Sequence, residues 1–166
     1  MSMINIGGQT TTSKLTCIEP GDVQPNAVDL KLGKVFWIKP QTFTIDEDQK
    51  VHRGSEKMVL DADGYYNLGV GQYEVIMENE INVGPDEAGF VITRSTLNRN
   101  GCFLTSGLYD TGYNGVMAGV LHVNCGLMRI KPGTRVGQYL NWKAEAVSSY
   151  DGDYGKGKQH DDEAYG

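Results

Sequence analysis

The sequence predicts an all-β domain, arranged as a sandwich or closed barrel, on three observations. Glycine fills 22 of 166 positions while hydrophobic residues make up 39% and proline only 5. That mix suits short strands joined by tight turns and disfavours a helical bundle. Short apolar or alternating runs recur about eight times over roughly 125 residues, each closed by a turn signal, which is the strand pattern. Only one stretch carries helix signals, and it is short. A chain of 166 residues is about one domain's worth, long enough to bury a core and too short for two.

Residues 1–14, with Gly7-Gly8 and the polar run 9–13, hold little that can be buried and read as an N-terminal arm or edge segment. The β domain then occupies 15–149. Its strands are expected at 28–32, 34–38, 57–60, 72–77, 89–93, 116–123, 127–130 and 135–142, where apolar residues alternate or cluster. Residues 94–101 supply one or two helical turns, stopped by Gly101. Residues 150–166 contain glycines, tyrosines and acids with almost no aliphatic side chain. Such a tail is expected to stay mobile unless a ligand or a neighbouring subunit fixes it.

Composition excludes several function classes. With 15 basic and 21 acidic residues, the formal net charge is −6, which argues against wrapping DNA or RNA by counterion release. An anionic ligand must then be small and met by local cations. The cysteines, Cys17, Cys102 and Cys125, form no CxxC pair and lack zinc spacings, so a reduced, cytoplasmic setting is expected. No run approaches a membrane span, and the start MSMINIGGQTTTSK has no apolar signal core.

Four segments carry more information: VQPNAVDLKLG at 23–33, TRSTLNRNG at 93–101, GLYDTGYNG at 107–115 and PGTRVGQ at 132–138. Arg94 and Arg99 bracket the hydroxyls of Ser95 and Thr96, so one turn can offer two guanidinium forks and two hydroxyls to phosphate oxygens. Alone, the same residues also make an ordinary solvated helix. Asp110 precedes Thr111-Gly112 and serves equally as a turn former. Asp29 interrupts an apolar strand, where an unpaired carboxylate is costly to bury. Gln138 caps a strand end or presents its amide.

In this order and at these separations the segments resemble the motifs of the dUTPase and dCTP deaminase superfamily, from about residue 23 to the C-terminus. The resemblance implies a jelly-roll-like, distorted β-barrel with one short helix, assembled as a homotrimer with nucleotide sites between subunits. It places Arg94, Ser95 and Thr96 on the phosphates of a deoxynucleoside triphosphate and Arg99 nearer the base or the reacting water. Asp110 becomes the general base and 3′-hydroxyl partner, and Tyr113 the ring that disfavours a 2′-hydroxyl. Asp29 lies near hydrated Mg2+, held through water, or in the hydrogen-bond frame beneath the site; both roles stay open. Gln138 addresses a phosphate. The tail, through Tyr150, Tyr154, Lys156, Lys158 and Gln159, resembles the deaminase branch, which implies that it closes over the triphosphate; solvated lysines are an equal alternative. His160 and the acids at 161–163 are expected to face solvent.

Deaminases of this superfamily move protons with a glutamate in the strand after the hairpin, which corresponds here to 107–115. Here that strand, 116–124, contains no acid. Val120 or Leu121 takes the glutamate's place, depending on register, and the segment is one residue longer than usual, so a bulge is expected. His122 is the titratable side chain nearby, and a lone strand histidine is more often structural. Phosphoanhydride hydrolysis needs a positioned water, a base and cations. The expected activity is therefore hydrolysis of dUTP to dUMP and pyrophosphate. The alternatives are a dCTP deaminase or bifunctional enzyme, and an inactive nucleotide-binding interaction protein, the latter suggested by Thr93 where the family usually has glycine.

Overall fold

The computed structural model describes residues 3–4 and 11–165. Its strands are β1 (Met3–Ile4), β2 (Lys14–Leu15), β3 (Val28–Ile38), β4 (Thr44–Ile45), β5 (Lys50–Val51), β6 (Ser55–Lys57), β7 (Tyr66–Asn82), β8 (Glu87–Thr93), β9 (Cys102–Thr105), β10 (Asn114–Ile130) and β11 (Arg135–Lys143). Two helices, α1 (Ser95–Arg99) and α2 (Gln159–Tyr165), and a 3-10 turn at Pro20–Asp22 complete the described elements. The mostly-β, barrel-like architecture expected from the sequence is what the chain adopts.

One sheet runs in the order β1-β11-β3-β7-β10-β9, with β8 on the other side of β11. The sheet nearly closes where β8 meets the segment that begins with β9. Gly89 and Tyr109 exchange both backbone hydrogen bonds, at 2.7 and 3.1 Å. The Thr93 hydroxyl accepts from the Leu104 amide at 2.7 Å and donates to the Leu104 carbonyl at 3.0 Å. Thr93, where the resemblance implies a glycine, therefore acts as a clasp in the barrel wall.

The inner face is continuous apolar surface: Leu30, Leu32, Leu68, Val75, Met117 and Leu121 are at most 1% exposed. Each is a period-2 position of a long strand, so the alternation read from sequence is the alternation of burial. The runs at 116–123 and 127–130 join into one bent strand. Between Val123 and Leu127, residues 124–126 of β10 stand opposite one residue of β7. That bulge lies downstream of the place where the deaminase glutamate is expected. The strand expected at 57–60 is instead β6, which starts two residues earlier and ends three earlier, because Met58 donates to the Val35 carbonyl and the chain then leaves the sheet.

Both ends of the chain pack more closely than their composition implies. Most of the N-terminal arm lies outside the described residues, but residues 11–14 are fastened. The fully buried Glu87 carboxylate accepts hydrogen bonds from the Thr11 hydroxyl at 2.8 Å, the Thr12 amide at 2.8 Å, the Ser13 amide at 3.0 Å, the Ser13 hydroxyl and Asn141 Nδ2 at 3.2 Å. Burial pushes this acid up, and those donors more than offset it, holding it down at about 2. The C-terminal tail is likewise ordered against its own domain, by contacts described below.

Candidate functional site

The four motifs gather at the two ends of β8. At its C-terminal end the chain passes through Arg94 into α1, with the Arg94 amide donating to the Val136 carbonyl at 3.1 Å. Asp29 of β3 faces Gln138 of β11 in the strand register. Its carboxylate is fully buried and is satisfied by polar neighbours: Gln138 Nε2 donates to Oδ1 at 3.0 Å, Gln24 Nε2 to Oδ2 at 3.2 Å, and the Arg94 guanidinium lies 3.5 Å away. Three expected site residues, Asp29, Arg94 and Gln138, thus meet around one carboxylate. About a third of the Arg94 side chain (34%) stays exposed, so one edge of its fork is held while the rest can meet an anion.

On α1, Leu97 is buried and anchors the turn, while Ser95, Thr96 and Arg99 face solvent. Gly101, at φ +73, ends it in the left-handed conformation expected of the stop. Lys31 and Arg135 flank this end of the barrel and pair with the buried Asp22 at 3.0 and 2.7 Å. Burial raises the Asp22 carboxyl, but the Glu19 amide, Lys31 and Arg135 bring it below its ordinary value. Gln24 lies in the first motif, yet its residue type and spacing carry no signal that assigns it to Asp29.

At the N-terminal end of β8 sits the hairpin. The Thr111 hydroxyl donates to the Glu87 carbonyl at 2.7 Å, the Gly112 amide to Val83 at 3.1 Å, and the Tyr113 amide to the Asp110 carbonyl at 3.0 Å. The exposed Asp110 lines a hollow of about 520 Å³ with Leu108, Thr111, Trp142 and Tyr150. Beside it a cleft of about 320 Å³ is lined by Tyr109, Tyr113, Val116, Tyr150, Tyr154 and Tyr165. Tyr113 is fixed: its hydroxyl donates to the Val116 carbonyl at 2.7 Å, and its ring meets Tyr109 and Tyr150 edge-on at 5.4 and 5.3 Å. Burial, with Asp161 nearby, raises its phenol well above the ordinary range, so it acts as a neutral ring.

The tail crosses this cleft. The Tyr150 amide donates to Thr111 at 2.7 Å and the Lys156 amide to Asn114 at 2.8 Å. Gly155 passes so close to Gly115 that a Cβ built on Gly115 would lie 2.7 Å from its Cα. Helix α2 then docks: Tyr165 donates to Glu74 at 2.6 Å, and Lys34 donates to the Tyr165 carbonyl at 2.7 Å. Asp161, expected in solvent, is buried; it accepts from the Gly155 amide at 2.9 Å and meets His160 Nδ1 at 3.1 Å. Tail rings meet rings of the body, Tyr150 edge-on to Tyr113, and Tyr165 and His160 tilted against Phe36 and His52, a pairing that aliphatic content alone does not display. Lys50 pairs with Asp153, and Lys156 and Lys158 make looser pairs with Glu80 and Asp151 at 3.8 and 3.9 Å. Gln159 bonds Glu163 at 2.7 Å within α2.

His122 is half-buried and stacks on Phe103, with ring centroids 4.4 Å apart at 10°. The carboxylate opposite Val120 is Glu74 of β7, and it is engaged by Arg53 at 2.9 Å and by Tyr165. Among the described residues no three His, Cys, Asp or Glu side chains converge to hold a metal ion. Asp29 is enclosed by its donors, so its carboxylate is not open to ligate a magnesium ion directly.

Residues 8–143 match the sequence profile of the family described as dCTP deaminase-like. The probable deoxyuridine 5′-triphosphate nucleotidohydrolase of Aeropyrum pernix is 31% identical over 137 residues, which cover 81% of this chain and 85% of that protein. A probable enzyme of the same name from Methanopyrus kandleri is 32% identical, covering 84% and 91%. The dUMP-forming dCTP deaminase of Persephonella marina is 32% identical, covering 86% and 84%. The crystal structure of 2′-deoxycytidine 5′-triphosphate deaminase from Agrobacterium tumefaciens shares the fold, with TM-score 0.60 and 17% identity over 78% of this chain and 41% of that one.

Proposed function

The chain belongs to the dCTP deaminase-like family, and from that premise we propose that it is a diphosphohydrolase that splits dUTP into dUMP and pyrophosphate. Asp110 hydrogen-bonds a water and takes its proton as the oxygen attacks the α-phosphorus; the bond from that phosphorus to the bridging oxygen breaks and pyrophosphate leaves. Arg94, Ser95, Thr96 and Gln138 receive the phosphates, and Arg99 reaches toward the base or the water. The rigid ring of Tyr113 lies against the deoxyribose. Tyr150, Tyr154, Lys156, Lys158 and Gln159 cover the substrate, the loose ion pairs of the two lysines exchanging readily for phosphate oxygens. Magnesium enters as part of the substrate, carried on the triphosphate.

The separation of Asp110 from Arg94 carries this reading. Asp110 stands beside Glu87 and Ala88, and Arg94 follows Thr93 at the other end of the same seven-residue strand. A strand of that length spans about 20 Å, farther than one phosphate group bridges. A chain of this design therefore needs a second copy to bring base and cation to one substrate, as in the homotrimer that the resemblance implies. The absence of an acid in the described strand after the hairpin and the stacked His122 support hydrolysis over deamination.

The test mixes Asp110→Asn and Arg94→Gln chains, each inactive alone, by co-refolding. Random assembly places an intact base opposite an intact arginine in about a quarter of shared sites, so pyrophosphate release should return to that order. No recovery at full assembly overturns the shared site. Incubating the wild type with each deoxynucleoside triphosphate and measuring pyrophosphate and ammonia separately decides the reaction; ammonia from dCTP overturns it.

A further inference from the structure

We propose that Cys102 and Cys125 form a reversible thiol–disulfide site that ties the β10 bulge to β9. Both are free thiols, and their Sγ atoms lie 3.5 Å apart. Cys102 stands opposite Val123 in the β9–β10 register, and Cys125 lies in the stretch 124–126 that leaves the ladder. The bulge is what swings a residue two positions further along the strand back toward Cys102. Closing the gap to a bond of about 2 Å asks for a shift of roughly 1.5 Å, within reach of side-chain rotation in an irregular segment.

Access is asymmetric. Both cysteines border a hollow of about 280 Å³ with Thr96, Leu97, Asn100 and Met128, but Cys102 is 2% exposed whereas Cys125 is partly exposed. A peroxide therefore meets Cys125 first. Its thiolate attacks one peroxide oxygen, the O–O bond breaks, and water and a sulfenic acid result. The Cys102 sulfur then attacks the Cys125 sulfur, the S–O bond breaks, and the oxygen leaves as a second water. In sum, two thiols and one hydrogen peroxide give one disulfide and two waters; a small thiol reverses the bond by exchange. The hydrogen bond with Cys102, then burial, pushes the Cys125 thiol above its ordinary range, so the reaction should quicken with rising pH. Neither cysteine belongs to the nucleotide reading, which stands or falls separately.

The experiment treats the full chain carrying Cys17→Ser with hydrogen peroxide at pH 7 and pH 9, blocks remaining thiols and maps peptides without reduction. The expected product is a Cys102–Cys125 peptide pair two hydrogens lighter than its parts, formed faster at pH 9 and released by dithiothreitol. Its melting temperature should lie on the order of 5 °C above that of the reduced protein. Cys125→Ser should abolish both the pair and the melting shift. If that variant does not fold, peptide mapping of the Cys17→Ser chain alone decides. Both thiols remaining open to alkylation in the folded, peroxide-treated chain, or oxidising to unlinked sulfinic acids, overturns the proposal.

Discussion

The two ends of β8 are built on opposite principles. At the Arg94 end a buried carboxylate organises everything: Asp29 fixes Gln138, Gln24 and one edge of a guanidinium, so cationic groups are in place before any anion arrives. At the Asp110 end the carboxylate is exposed, the neighbours are rings, and a separate segment of chain lies across the cleft. One end is preorganised by hydrogen bonds, the other closed by aromatic packing. Under the proposed function, the rigid end seats the phosphates without moving and the end that admits base and sugar has to open, which puts affinity at the first end and turnover at the second.

The largest expected effect breaks that division at its reactive end. Asp110→Asn should lower pyrophosphate release from dUTP by at least about 10²-fold, the scale of a general base, with KM changed little. A near-normal rate in steady-state assay would move the chemistry away from the hairpin. Next in size, removing residues 150–166 should reduce kcat/KM roughly tenfold through loss of cover over the site, and it should also lower the melting temperature, because Tyr150, Gly155 and Tyr165 pack on the body. Unchanged melting would mean that these contacts contribute nothing to the fold.

Asp29→Asn sharpens the contrast at the other end. Replacing one acceptor oxygen by a donor that faces amide or guanidinium hydrogens should cost about 2 kcal/mol of stability and raise KM for dUTP more than it lowers kcat. Chemical denaturation and kinetics measure the two effects, and a selective loss of kcat would reverse the assignment. The smallest effect concerns the acid limb. Glu87 has its carboxyl held at about 2 in the folded chain against an ordinary 4.5. Its contribution is present above pH 4.5 and declines as pH falls toward 2. Melting temperature recorded from pH 6 downward should fall across that window, and Glu87→Gln should flatten the fall.

Much of the fold was legible because it depends on alternation. The strands around Leu30, Val75, Leu121 and Tyr139 announce themselves by period, and the stop at Gly101 by residue type. What sequence could not display was partnership across distance. The arm's attachment depends on Glu87, some 75 residues from Thr12, and hydroxyls in a polar run look the same whether solvated or bound to a buried acid. The tail has little aliphatic content, and its order depends instead on a ring meeting Tyr113 and on Asp161 receiving the Gly155 amide. Asp29 was legible as a problem that needed a solution, and Gln138 as part of it. Gln24 was not, since an amide carries no period and no spacing rule.

The crossing of Gly155 over Gly115 leaves no room for even a methyl group between two backbones. Bulk introduced at either position acts as a wedge under a strap, prising the C-terminal segment from the hairpin without altering any group assigned to bond breaking. Access to the cleft can therefore be tuned independently of its chemistry, from a single point on the strap's inner surface.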